Sequence, residues 1–166
     1  MNIEKARQFL SLPEDLSKWD SDAWRMLRDP TTFLSVPWGE ETDEIVALWN
    51  KNSPKELTIV AVADSAQTPV GFTHHLSCSG RTVDVPYRAS REDCFVVVLS
   101  INNLVKESIG LRLSRASTGN SDWCFMPQRH EDWASLEAQY GADFVNARFV
   151  RLPDGWEELE SALGAA

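Results

Sequence analysis

The apolar residues of this chain change their spacing twice, and these changes restrict the fold more than any other feature of the sequence. Near both ends the apolar residues recur every three or four positions, as for Ile45 and Trp49 or Trp133 and Leu136, and this spacing predicts helices. Between them, residues 56–126 carry alternating or continuous apolar runs bounded by turn-forming residues, and such runs predict strands.

Strands that follow one another without intervening helices favour an antiparallel sheet over a doubly wound one. The chain has 166 residues, a length that commonly forms one domain. We therefore predict a single α+β domain over residues 1–166. Its sheet is expected to be mostly antiparallel, with about five or six strands in residues 56–126, and to be packed by the N-terminal and C-terminal helices.

Three segments define the predicted sheet. ELTIVAVA, residues 56–63, is nearly continuous in apolar and β-branched residues and predicts a central strand. CFVVVLSI, residues 94–101, has the strongest strand pattern in the chain and is also expected to be central. Residues 109–126 contain two shorter runs around a Gly-Asn turn and predict a hairpin.

The segment GFTHHLSCSG, residues 71–80, contains two of the three histidines and one of the three cysteines. In a strand, His74 and His75 point to opposite faces, so they cannot bind one metal ion together. His74 and Cys78 share a face but lie about 13 Å apart, which is too far for joint coordination. We therefore expect a core or hydrogen-bonding role for His74 rather than a catalytic one.

No other pattern in the sequence predicts catalysis or a cofactor. The cysteines form no CxxC or zinc-type spacing, the glycines are scattered singly, and no acidic cluster matches a calcium loop. We therefore predict no catalytic residue, no metal and no cofactor. Unpaired cysteines, together with an N-terminus whose charges interrupt any apolar run, favour a cytoplasmic protein over a secreted one.

The chain is acidic, with a formal net charge of −9 from 16 basic and 25 acidic residues. Residues 1–50 carry ten acidic and five basic residues, residues 131–166 carry eight and two, and residues 51–130 carry seven and nine. The negative charge therefore belongs to the helical ends. It repels phosphate groups, which argues against nucleic acid and anionic membranes as partners, and it attracts basic proteins.

Tryptophans accompany the acidic residues in two segments, one before the predicted helix near residue 45 and one near residue 131. Aromatic side chains supply contact area at protein interfaces, and carboxylates speed and select the encounter with a cationic partner. Both segments are therefore predicted to contact a basic protein, the first more strongly than the second. The predicted contact residues are Trp38, Glu40, Glu41, Asp43, Glu44, Glu131, Asp132 and Trp133.

These features favour a non-catalytic acidic protein-binding module. Its most concrete form is a bacterial immunity or inhibitor protein that neutralises a basic toxin, such as a nuclease, by covering the active surface. Two alternatives remain open. One is a small hydrolase whose site combines His74 or His130 with a carboxylate; the other is an adaptor subunit that joins a larger assembly through an apolar surface insensitive to salt.

Overall fold

Two antiparallel sheets and seven α-helices form the part of the chain that the computed structural model describes, residues 2–164. The predicted α+β class is confirmed. The helices are α1 (Ile3–Leu10), α2 (Ser21–Leu27), α3 (Thr42–Asn52), α4 (Asp93–Val105), α5 (His130–Tyr140), α6 (Ala142–Arg148) and α7 (Trp156–Gly164). The strands are β1 (Leu34–Pro37), β2 (Val60–Ser65), β3 (Phe72–Cys78), β4 (Arg81–Asp84), β5 (Ile109–Ser114), β6 (Asp122–Arg129) and β7 (Phe149–Arg151).

The larger sheet has four strands in the order β1-β6-β5-β7, and each neighbouring pair is antiparallel. β5 and β6 are consecutive in the chain and pair with Leu113 opposite Phe125. The predicted hairpin in residues 109–126 is therefore confirmed. β1 and β7 form the two edges and come from outside residues 56–126, so the sheets draw on more of the chain than the apolar pattern predicted.

The smaller sheet has three strands in the order β2-β3-β4, with β3 in the centre. The prediction that residues 56–63 form a central strand is wrong, because β2 lies at an edge and the Val60 and Val62 side chains are each 55% exposed. β-Branched residues are stiff at χ1 and are enriched in strands in general, so their presence does not tell a central strand from an edge strand. The pattern therefore identified a strand but not its place in the sheet.

The segment CFVVVLSI lies in a buried helix, α4, and not in the central strand that its side chains predicted. All residues of α4 except Asp93 and Asn103 are buried. The helix contacts strands of both sheets, so it is apolar on every side. A short apolar run has the same pattern in a buried strand and in a buried helix, and here the surroundings of the segment decide between them.

The four-stranded sheet separates two apolar cores. Alternate residues of β6 point to opposite faces: Trp123 and Phe125 enter the core shared by α3, α4 and α7, whereas Cys124 and Met126 enter the core shared by α1, α2, α5 and α6. The smaller sheet joins the first core through Leu76. This packing holds β1, α3 and α4 against one another and so positions the segment between β1 and α3.

Candidate functional site: an acidic and aromatic surface

A tight turn presents the first predicted contact segment. Pro37 ends β1, and the Glu40 N–H donates a hydrogen bond to the Pro37 carbonyl at 3.3 Å. Gly39 occupies the third position of this turn with φ +82°, as a type II turn requires. The Trp38 N–H donates to the Ser121 carbonyl at 3.2 Å, which fixes the turn to the residue before β6.

Trp38 is an exposed ring with aromatic support beneath it. Its side chain is 41% exposed, yet its centroid lies 4.9 Å from Phe95 and 5.6 Å from Trp123, and both contacts are nearly perpendicular. A tryptophan held in this way offers a large contact area and loses little conformational freedom on binding. Trp38 is therefore an exposed ring held in place by two aromatic neighbours.

Four carboxylates follow Trp38 around the start of α3. Glu41 occupies the N-cap position, and Asp43 and Glu44 lie in the first turn, where the positive end of the helix dipole favours anions. Glu40 is half-buried and the other three are exposed. Within the described residues, none of the four lies within ion-pair distance of a Lys, Arg or His side chain. We name Trp38, Glu40, Glu41, Asp43 and Glu44 the acidic face.

The side chain of Glu40 interacts with the carboxyl of Glu44, four residues further along the chain. This contact with Glu44 raises the pKa of Glu40, and partial burial and the negative charge of Glu44 act in the same direction. At neutral pH the two carboxylates therefore repel each other. A cation placed between them would relieve that repulsion.

A cleft with a volume of about 310 Å³ adjoins the acidic face. Its lining includes the acidic residues Glu40 and Glu41 and the rings of Phe72, His74 and Tyr87. Residues of α4 complete the lining. The cleft thus joins side chains from segments that are far apart in the sequence, and the local pattern of any one segment gave no sign of it.

His74 is half-buried in this cleft and contacts a tyrosine rather than a carboxylate. Its Nδ1 lies 2.6 Å from the Tyr87 hydroxyl, which also hydrogen-bonds the hydroxyl of Thr42. Burial raises the pKa of Tyr87, and the nearby charges of Asp93 and Asp43 raise it further, while the bond to Thr42 opposes them. The contact agrees with the hydrogen-bonding role predicted for His74.

The second predicted contact segment requires a correction at Trp133. Its side chain is 2% exposed, its Nε1–H donates to the Gly110 carbonyl at 2.8 Å, and the Arg112 guanidinium lies 4.1 Å from its ring centroid. Trp133 therefore belongs to the core and is not available to a partner. Its place on the apolar stripe of α5 is the sequence signal that pointed to burial.

The two acidic residues of this second segment lie apart from the first cleft. Glu131 is exposed and Asp132 is half-buried. Glu131 borders a separate cavity of about 390 Å³ that Arg129 and His130 also line. Because the Arg129 guanidinium lies 3.6 Å from the Glu131 carboxylate, part of the negative charge here is offset within the chain. This segment resembles an ordinary charged surface more than the acidic face does.

The other two histidines, His75 and His130, contact oxygen atoms that cannot act as an activated hydroxyl or thiol nucleophile. Nδ1 of His75 lies 2.7 Å from Oδ1 of Asp84, a contact set by the register of β3 and β4 and therefore missed in the sequence. Nε2 of His130 lies 2.7 Å from the Lys106 carbonyl oxygen. In the described residues, neither imidazole hydrogen-bonds a side-chain hydroxyl or thiol, as an activated nucleophile would require.

Two of the three cysteine thiols, those of Cys94 and Cys124, are poor nucleophiles in this fold. All three are free and buried. Burial raises the pKa of Cys94, and it raises the pKa of Cys124 to about 11, so both remain protonated at neutral pH. No group of three or more His, Cys, Asp or Glu side chains in residues 2–164 is arranged to hold a metal ion. Over the same residues, no helix has both the length and the apolar character needed to span a bilayer.

Fold and site together define an α+β protein with an acidic, aromatic surface beside a small cleft. In comparisons with known proteins, the chain matches no protein-family model, no curated protein and no solved structure.

Proposed function

We propose that this chain is a non-catalytic binding module of the cytoplasm that captures a basic protein through the acidic face. In its most concrete form it is an immunity or inhibitor protein that neutralises a cationic toxin, such as a nuclease. A protein that cleaves nucleic acid carries positive charge where it grips phosphate. An acidic protein that covers this positive surface excludes the substrate without any chemistry of its own.

The observation that carries the proposal is an exposed Trp38 beside four carboxylates that have no internal cation partner among residues 2–164. Asp29 pairs with Lys5 at 2.5 Å and Asp154 pairs with Lys106 at 2.8 Å. Within residues 2–164, exposed carboxylates of α7 such as Glu158 also lack an ion pair, so the acidic face is distinguished by combining its carboxylates with a supported, exposed indole. Buried aromatic anchors supply binding energy, and surrounding charges steer the encounter and select the partner.

The test requires the natural partner. The chain, immobilised through its C-terminus, captures proteins from the cells that make it, and the captured protein is identified and purified. We expect a partner with a basic contact surface whose association rate constant falls steeply as salt is raised. If the partner is a nuclease, an equimolar amount of this chain should block cleavage.

A pair of double variants separates a specific surface from total charge. Glu41→Gln with Glu44→Gln removes two charges from the acidic face, and we expect association at low salt to slow about tenfold. Glu158→Gln with Glu160→Gln removes two exposed charges from α7 and changes the net charge equally. The proposal fails if both pairs have the same effect, or if Trp38→Ala leaves the dissociation rate unchanged.

The adaptor alternative rests on a different observation, the exposed edge of β2. Val60 and Val62 are each 55% exposed there, and an unpaired strand edge is a common place for another chain to add a strand. Assembly through this edge would be insensitive to salt and to changes in the acidic face. Val62→Lys would weaken it and would leave binding through Trp38 intact.

A further inference from the structure

The cleft beside the acidic face has three aromatic walls. The ring centroids of Phe72, His74 and Tyr87 lie 5.5 to 5.8 Å from one another. Phe72 is 42% exposed, although a large apolar side chain is usually covered. These rings therefore form an open aromatic corner in a cleft that Glu40 and Glu41 also line.

Hydrogen bonds hold two of the rings in place before any ligand arrives. Tyr87 bonds to both Thr42 and His74, which ties the ring before α4 to the first residue of α3 and to β3. β3 is also the central strand of its sheet, paired on both sides. A ligand that enters the cleft therefore meets walls that are already ordered, which lowers the cost of binding.

The cleft has an acidic lining. Glu40, Glu41 and Asp93 are among its lining residues. The Asp93 carboxylate accepts hydrogen bonds from the backbone N–H groups of Arg88 at 2.9 Å and Ser90 at 3.2 Å, which hold it in place. The negative charges of Asp93 and Asp43 also help to raise the pKa of Tyr87, after the larger effect of burial.

The chain supplies no cation of its own to this cleft within its described residues. No Lys or Arg side chain lines it. Arg88 lies close in the sequence, but its guanidinium pairs with Glu157 at 3.0 Å, and its side chain lines a different cavity together with Trp156. A positively charged group from outside would therefore meet both carboxylates and aromatic rings without displacing an internal ion pair.

We propose that this cleft accepts an arginine side chain of the basic partner, an inference that rests on the proposed function. The planar guanidinium can stack on Phe72 or Tyr87 while its N–H groups point to Glu40 and Glu41. Arginine suits such a site better than lysine, because guanidinium is more weakly hydrated, stacks on rings and donates in a fork that matches carboxylate. The arginine would lie beside Trp38, so the two features form one recognition surface.

A small-molecule titration tests the cleft without the partner. Isotope-labelled protein is titrated with N-acetyl-arginine amide, and amide resonances are followed by NMR. We expect saturable shifts concentrated at Thr42, Phe72, His74 and Tyr87. The citrulline analogue has nearly the same shape but no charge, and we expect it to bind at least about tenfold more weakly. The lysine analogue should fall between them.

Two variants separate the contributions of ring and charge. Phe72→Leu keeps an apolar side chain of similar reach but removes the ring, and we expect arginine affinity to fall about fivefold. Glu40→Gln with Glu41→Gln should abolish the preference for arginine over citrulline. Val62→Leu changes an exposed side chain on the neighbouring strand that does not line the cleft, and it should leave the titration unchanged.

The outcomes distinguish this inference from the proposed function. If arginine and citrulline analogues shift the same resonances equally, or if shifts spread over all acidic surfaces including α7, the arginine site is overturned. Salt-sensitive capture of a basic partner would then still support the proposed function. The opposite result has two parts: the arginine analogue saturates the cleft, and the captured partner binds the Glu41→Gln, Glu44→Gln double variant as well as it binds the natural chain. Together these results support the arginine site and overturn the proposed function.

Discussion

Glu40 lies in a position that disfavours folding at neutral pH and that the proposed binding would exploit. It is half-buried, and the nearby carboxyl of Glu44 raises its pKa. A protein selected for stability alone would place a lysine or a neutral side chain here, because like charges at this spacing disfavour the folded state. A cationic partner gains from the same arrangement, since it neutralises charges that repel each other in the free protein.

Replacing Glu40 with glutamine should stabilise the free protein at neutral pH. The pKa of Glu40 is raised in the folded state. Its contribution to the free energy of unfolding is therefore fully present below the unfolded-state pKa and is lost as pH rises through the folded-state pKa. At pH 7 the free energy of unfolding of the variant should therefore be about 0.2–0.5 kcal/mol higher than that of the natural chain. The difference should disappear at pH 3, as measured by urea unfolding at both pH values.

Glu131→Gln provides the control for this comparison. It also removes one surface carboxylate, but from a position 3.6 Å from the Arg129 guanidinium, so no gain in stability is expected at pH 7. If Glu40→Gln fails to stabilise the chain relative to this control, the repulsion inferred at the acidic face is not present. The affinity for the partner should fall where stability rises, and it should fall more in Glu40→Gln than in Glu131→Gln.

The residues of the acidic face could be predicted because their roles follow from local sequence. Acidic residues at a helix start and a tryptophan in a Pro-Trp-Gly turn tend to be exposed whatever the rest of the chain does. The same reasoning failed for Trp133, where the apolar stripe of the helix was the stronger signal. Phe72, His74 and Tyr87 meet only through the register of β3 and the path of the chain before α4, which no local pattern contains.

At the scale of elements, α4 is the piece that connects the core to the acidic face. Phe95, which is fully buried, stacks on Trp123 at 4.1 Å and supports the ring of Trp38 at 4.9 Å. Cys94 and Val97 of the same helix line the cleft. The position of the acidic face thus depends on side chains that are themselves buried.

Removing the Phe95 ring should therefore affect stability and recognition together. Phe95→Ala should lower the free energy of unfolding by about 3–5 kcal/mol, the usual cost of deleting a buried aromatic ring. It should also shift and broaden the indole N–H resonance of Trp38, because that ring loses its support. Urea unfolding and NMR of the folded variant measure the two effects.

Phe9→Ala is the matched variant from the other core. Phe9 is also almost completely buried, and its ring contacts Trp19 and Phe33 on the opposite side of the four-stranded sheet from Phe95. We expect a similar loss of stability but an unchanged Trp38 resonance. An equal disturbance of Trp38 in both variants would show that α4 has no special part in supporting the acidic face.

The elements differ in how well the sequence predicts them. α3 and the hairpin of β5 and β6 follow from amphipathic spacing and turn residues, which are properties of the segments themselves. α4 could not be assigned because complete burial removes the polar face that would reveal a helical period. β1 has only four residues and ends in a proline, and its pairing with β6 through Leu34 and Phe125 depends on a distant part of the chain.

At the scale of the whole molecule, the two cores share the four-stranded sheet. Side chains of β6 alternate between them, so neither core can be exposed without losing one face of this sheet. α4 likewise contacts strands of both sheets. Contacts that link all layers in this way favour cooperative unfolding.

We therefore expect one unfolding transition for the entire chain. Tryptophan fluorescence reports on both cores, through Trp123 in one and Trp19 in the other, and far-UV circular dichroism reports on the helices. The two signals should give the same midpoint in urea. Separate midpoints would mean that the layers unfold independently and that the sheet does not couple them.

The turn at Pro37 to Glu40 rests on α4 and β6, and the carboxylates that follow it, Glu41, Asp43 and Glu44, are exposed to water. Exchange of those side chains therefore leaves the interior untouched, whereas exchange of Phe95 or Trp123 does not. If the proposed basic partner changes in evolution, substitutions at a few of these exposed positions could restore the affinity with little loss of stability. Related proteins should therefore differ most at the exposed residues of the acidic face and least in the core beneath it.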